Sequence, residues 1–136
     1  MKSGIRYRWR RQSGQSVTEA AFILPLVFFV VFWIFELGWL MYTYSVLADA
    51  ANEGVRYAIV HSGGDPAGTL AKVKTFAGTS LHNVSAISIS VTFPDGNATP
   101  PNRVRVTVNY VYIPFLPKFI TAPTMNTFSE GRMVTQ

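Results

Sequence analysis

The chain has 136 residues, 49% of them hydrophobic, a net charge of +5 and no cysteine. That length suits one domain, the missing thiols exclude disulfide frameworks and thiolate chemistry, and the positive mean hydropathy of +0.21 implies that part of the chain lies outside water. The charge is uneven: Lys2, Arg6, Arg8, Arg10 and Arg11 precede Gly14 without an acid among them, leaving seven basic and seven acidic residues for the remainder. Despite a pI of 9.8, a short basic tail is not a basic stripe on a folded surface, which argues against nucleic acid as a partner.

Residues Ala20 to Phe35 carry no charge, and after Glu36 none follows until Asp49. At about 1.5 Å per residue, the roughly 20 residues to Trp39 cross a hydrocarbon core of about 30 Å, with Glu36 near the far interface. The basic cluster predicts an N-terminus in the cytoplasm and a C-terminal part outside it, a single-pass topology. The run exceeds the apolar region of a secretory signal, although Ala48-Asp49-Ala50 offers a small-x-small pattern. Pro25 removes one helical hydrogen bond, which membrane helices tolerate.

Beyond the uncharged run, Leu37, Leu40, Met41, Tyr44, Leu47, Ala48, Ala51, Val55 and Ala58 recur at three- and four-residue steps, while Asp49, Asn52, Glu53 and Arg56 fall elsewhere on the wheel. The pattern predicts one helix from about Ser16 to about Val60, its second half an amphipathic stalk. Asp65-Pro66 reads as an N-cap and first helical position, with Leu70, Val73 and Ala77 as the apolar stripe of a short helix closed by Gly78. Ile87, Ile89, Val91 and Phe93 alternate with polar residues, as do Val104, Val106, Val108, Tyr110 and Tyr112; the two runs predict antiparallel strands. The segment from 114 to 123 is too proline-rich for a central strand, and 124 to 136 supplies a weaker third. The expected fold class is α+β: a long membrane-spanning and amphipathic helix, then a small head with one short helix and about three antiparallel strands.

No catalytic constellation emerges. His61 and His82 lack ligand spacing, no nucleophile elbow or phosphate loop is present, and no cofactor is implied. Arg103 and Arg105 share one strand face, which reads as a solvated face or, alternatively, as a surface for an acidic partner. For Glu36 two readings stand: pairing with a neighbouring helix, or snorkelling to the interface. Glu53 and Arg56, three apart, suit an ordinary helix pair. Ser16-Val17-Thr18-Glu19 fits a capping box, which gives Glu19 a local role. Phe115, Leu116, Phe119 and Ile120 form an apolar loop that either meets a partner or folds over its own core.

A glycine, four residues, then a glutamate leading an apolar helix resembles the processing site of type IV prepilins. SVTEAAFILPLVFF, FELGWLMYTY and DAANEGVRYAIVH together resemble the TadE-like family of Flp/Tad pilus assembly proteins, with Trp39 standing where that pattern often has a basic residue. The resemblance implies a pilin-like fold, with a leader at 1–14, a membrane helix and stalk at 15–62 and an outer head at 63–136. It implies a minor pilin or pseudopilin, not an enzyme, cut between Gly14 and Gln15 by a prepilin peptidase. Glu19 and Glu36 would serve subunit assembly, and Glu53, Gly54, Arg56 and Tyr57 stalk packing. The implied partners are the peptidase, other pilin subunits, the inner-membrane assembly platform and the bilayer. The implied location is the bacterial inner membrane and, after assembly, an extracellular pilus for adherence or secretion. An unprocessed single-pass protein whose outer domain binds a ligand is the alternative.

Overall fold

A computed structural model describes residues 13–81 and 83–134. The basic leader as far as residue 12, and His82, lie outside the described residues. Helix α1 runs Ser13–Ile59, a 3₁₀ turn covers Ser62–Gly64, and helix α2 runs Pro66–Gly78. A second 3₁₀ turn, Val84–Ala86, leads into strands β1 (Ile87–Thr92), β2 (Arg103–Val111) and β3 (Thr124–Arg132). This is the expected α+β arrangement. The chain divides into two compact units, one ending at Phe35 and the other beginning at Glu36.

In the first unit, α1 exposes its apolar side chains from Val17 through Phe35 all around the helix. A helix hydrophobic on every face requires either a protein core or lipid around it. With a peak hydropathy of 2.5 over a membrane-length window that is only 6% buried, the chain has one helix long and apolar enough to cross a membrane, as in a single-pass membrane protein.

The second unit joins the remainder of α1 to the head. Its sheet is antiparallel in the order β1-β2-β3, with Ile89 opposite Val108 and Val108 opposite Thr127. Alternation places Val104, Val106, Val108 and Tyr110 of the central strand on one face, all buried. Full burial of each valine contributes about 1.5–3 kcal/mol. Val106, Val108 and Tyr110 join Leu47, Ala50, Ala51 and Val55 of α1 and Val73 and Ala77 of α2 in one core. Next to it, Ala58 clusters with Val104 and Met133. Helix α1 ends at Ile59, and the second compact unit begins at Glu36.

The buried face of α1 differs from the expected one. Leu47, Ala51, Val55 and Ala58 are buried as the periodicity predicts, but Leu37, Met41 and Tyr44 are exposed, and Thr43, Val46, Ala50 and Gly54 are buried instead. The reason is close approach. A Cβ on Gly54 would lie 2.5 Å from Val73 Cγ2 and 3.2 Å from Val106 Cγ1. Small residues let α2 and the sheet reach the helix, and bulky ones are displaced from that seam.

The turn after α1 depends on glycine in another way. Gly63 and Gly64 adopt φ of 65° and 69°, the left-handed region open to glycine at little cost. Asp65 follows at φ 30°, its side chain accepting from the Gly68 N–H at 3.2 Å. With Pro66 as the first helical residue, this is the predicted helix start.

Candidate functional site

Glu36 anchors the site in the second unit. It is 3% exposed, and both carboxylate oxygens are engaged: the Tyr112 hydroxyl donates to Oε1 at 2.7 Å, and the Phe115 backbone N–H donates to Oε2 at 3.0 Å. The alternation of β2 carries inward-facing residues on to Tyr112, which is how the phenol reaches the helix. Burial pushes the Tyr112 hydroxyl above the usual phenol range, and its bond to Glu36 adds to that. Charge-assisted bonds of this kind make a buried carboxylate tolerable. Glu36 is therefore bound within its own chain. The two readings drawn from sequence, a neighbouring helix or snorkelling, did not include this arrangement.

Aromatic rings surround the pair. Trp39, one turn along from Glu36, lies 6.0 Å from the Phe115 ring and 5.4 Å from Tyr42. Trp39, Thr43, Tyr110, Tyr112 and Phe115 contribute to an open cleft of about 520 Å³. Thr43 turns its hydroxyl back to the Trp39 carbonyl at 2.9 Å.

At the other end of α1, Gly14 already lies inside the helix, where its carbonyl accepts the Thr18 hydroxyl at 2.9 Å. A side chain added at Gly14 would meet nothing within 4 Å among the described residues. Glycine is therefore not required there by packing, although it weakens a helix by about 1 kcal/mol relative to alanine. Glu19 accepts from Gln15 Nε2 at 3.1 Å, one turn back. The capping box is not formed. Helix α1 starts at Ser13, so Ser16 is an interior residue rather than an N-cap.

The four stalk residues divide by environment. Gly54 is buried in the seam described above, whereas Arg56 is exposed. Glu53 lies 3.9 Å from Arg56 and 4.0 Å from Lys72 of α2, exposed pairs worth only a few tenths of a kcal/mol. Tyr57 donates to Asp65 Oδ2 at 3.0 Å, a bond that raises the phenol's pKa, and His61 stacks on the Tyr57 ring at 3.8 Å. The stalk's apolar face is thus covered by the chain's own head. Amphipathic patterning there does not by itself call for lateral packing against another subunit.

Arg103 and Arg105 are paired rather than simply solvated. Arg103 Nη2 meets Asp95 Oδ1 at 2.8 Å, and its backbone N–H donates to Asp95 Oδ2 at 2.8 Å. Arg105 pairs with Glu130, its cross-strand neighbour, and lies over the Phe128 ring at 5.0 Å. Among the described residues, no group of three or more His, Cys, Asp or Glu side chains is placed to hold a metal.

Residues 14–56 match the model of a protein family described as TadE-like protein. No curated protein and no solved structure matches the chain. The match begins at Gly14 and ends at Arg56, covering α1 except Ser13 and its last three residues, with Glu36 and Gly54 inside it. It points to a pilus-associated, structural role rather than an enzymatic one. Over residues 14–56, about a third of its length, the chain is therefore similar to TadE-like proteins.

Proposed function

We propose that the protein is a minor pilin or pseudopilin of a Tad/Flp type IV pilus, made as a precursor and cut between Gly14 and Gln15 by a prepilin peptidase at the inner membrane. The observation that carries this reading is the coincidence at Gly14. The TadE-like match starts there, the five basic residues of the N-terminal cluster all precede it, and among the described residues nothing lies within 4 Å of a side chain added at that point.

The cut removes five basic side chains and gives Gln15 a free amine, making Glu19 the fifth residue of the mature chain. An acid at the mouth of an apolar helix is costly in lipid unless paired. Among the described residues its partner is the Gln15 amide, which is neutral and brings no compensating charge. The α-amine of Gln15 on an incoming subunit supplies the compensation, which links processing to assembly. The N-terminus faces the cytoplasm and the head lies outside it, in line with the basic leader. From the membrane the processed subunit enters or primes the pilus used for adherence or secretion. Other pilin subunits and the assembly platform are its partners.

The test compares wild type with Gly14→Leu in a host that has the cognate peptidase. Wild type is expected in sheared pilus fractions at the mature mass, and Gly14→Leu to remain uncut in the membrane. Equal recovery of the two in filaments contradicts the proposal. The alternative, an uncut anchor carrying a binding domain, draws support from the head's coverage of its own stalk, and it predicts that Gly14→Leu changes nothing.

A further inference from the structure

The head has one polar end and one apolar end. Strand β2 lies antiparallel to the second half of α1: Val104 packs beside Ala58, and Tyr112 reaches Glu36. At the Val104 end are the charged pairs of Arg103 and Arg105 with Asp95 and Glu130. At the Glu36 end is the segment 113–123, which contains no acid and a single base, Lys118. There Ile113, Phe115 and Phe119 are 59%, 68% and 72% exposed. Ile113, Lys118 and Phe119 line one open cleft of about 410 Å³.

Chain continuity fixes the depth of this end. Glu36 directly follows Phe35, the last residue of the uncharged run that starts at Ala20. At about 1.5 Å per residue that run covers only about 24 Å, short of a core of about 30 Å, so hydrocarbon continues to about Trp39. The carboxylate of Glu36 lies on the lipid side of that limit, yet its two donors come from Tyr112 and Phe115. A segment that supplies the backbone N–H of Phe115 to Glu36 sits at the level of the interface itself. Exposed aromatic rings with one lysine and no acid suit that layer, where rings lie among headgroups and a lysine extends toward lipid phosphates.

The geometry points to a second membrane contact: the 113–119 segment of the head, with Trp39 and Tyr42 of α1, seats in the headgroup layer of the same bilayer that α1 crosses, with Lys118 directed at anionic phospholipid. This rests on the membrane-spanning reading of α1 and not on processing at Gly14. The segment covers the Glu36 carboxylate and holds the head against the membrane.

The chain has no cysteine, so a single introduced cysteine is a unique probe site. Full-length Phe119→Cys and Ile113→Cys carry an environment-sensitive fluorophore in nanodiscs of phosphatidylethanolamine and phosphatidylglycerol. Phe29→Cys serves as the control for the span and Thr92→Cys, exposed at the charged end of the sheet, as the control for water. Labels at 113 and 119 are expected to be quenched by lipid spin-labelled near the headgroup and to show a several-fold loss of iodide quenching relative to Thr92. Iodide quenching at 113 and 119 equal to that at Thr92, with Phe29 still quenched by lipid, overturns the proposal and leaves the membrane helix intact. Shielding from both quenchers that disappears as protein is diluted in lipid assigns the surface to a second copy and also overturns it. Iodide access at Phe29 removes the membrane-spanning reading, and the proposal with it.

Discussion

The Tyr112 hydroxyl donates to Glu36 Oε1 at 2.7 Å, joining residues 76 apart in sequence. With the Phe115 N–H on the other oxygen, this bond ties the end of the central strand to α1. Tyr112→Phe keeps the ring and removes one charge-assisted bond, so a loss of about 1.5–3 kcal/mol is expected. Glu36→Leu removes the acceptor from the buried Tyr112 hydroxyl and from the part-buried Phe115 N–H, and costs at least as much. The double variant is expected to cost less than the sum, because no buried charge is then left short of a partner. Denaturant unfolding of the detergent-solubilised chain, followed by near-ultraviolet circular dichroism, measures all three. Additive losses sink the idea that the two side chains act as a pair.

Gly54 has no room for a methyl group, with Val73 Cγ2 only 2.5 Å from its ideal Cβ position. Overpacking of about 1–3 kcal/mol opposes a gain in helix propensity of at most about 1 kcal/mol. Gly54→Ala is therefore expected to lower stability, and Val73→Ala in the same chain to recover part of the loss. A thermal midpoint unchanged by Gly54→Ala shows that the seam is looser than its geometry.

Asp95 gives the head an acid-sensitive contact. Hydrogen bonds from the Arg103 side chain and backbone hold its carboxyl at about 2, below the ordinary value of 3.8. Between those values the unfolded chain binds more protons than the folded one, so the contribution is complete above about 4 and is lost as pH falls through about 2. The site is exposed, so the effect is modest. Asp95→Asn is expected to flatten the stability profile between about pH 4 and 2 while leaving it otherwise parallel. An unaltered acid limb excludes this pair as a contributor.

Glu19 is expected to matter after cleavage rather than for it. Its contact with Gln15 is an exposed i,i+4 bond, worth only a few tenths of a kcal/mol to the helix, so Glu19→Ala leaves folding intact. Processing should continue in this variant while incorporation into pili falls, read by comparing mature protein in membrane and sheared fractions. Normal incorporation rejects the charge-compensating role.

Much of the head was legible in the sequence because each signal was local. The alternation through Val104, Val106 and Val108 marked the central strand and its buried face. Asp65-Pro66 marked the start of α2, and the uncharged run marked the membrane helix. What stayed hidden depends on residues distant in sequence. Hydrophobic periodicity favoured Met41 and Tyr44 over Thr43, Ala50 and Gly54, because a wheel registers side-chain apolarity and not how near a second element comes. The partners of Glu36 were equally out of reach, since nothing around Glu36 indicates a phenol at position 112. At the N-terminus the local motif misled: Ser16 to Glu19 reads as a capping box, but α1 begins upstream of it.

The most direct test of the account is the intact mass and N-terminal sequence of the protein recovered from membranes of a host that expresses the cognate prepilin peptidase. A chain beginning at Gln15 is the predicted result and confirms the precursor. A chain that retains Met1 or Lys2 contradicts it and leaves an uncut anchor, and a chain beginning at Ala51 means that the apolar helix is a cleaved secretory signal.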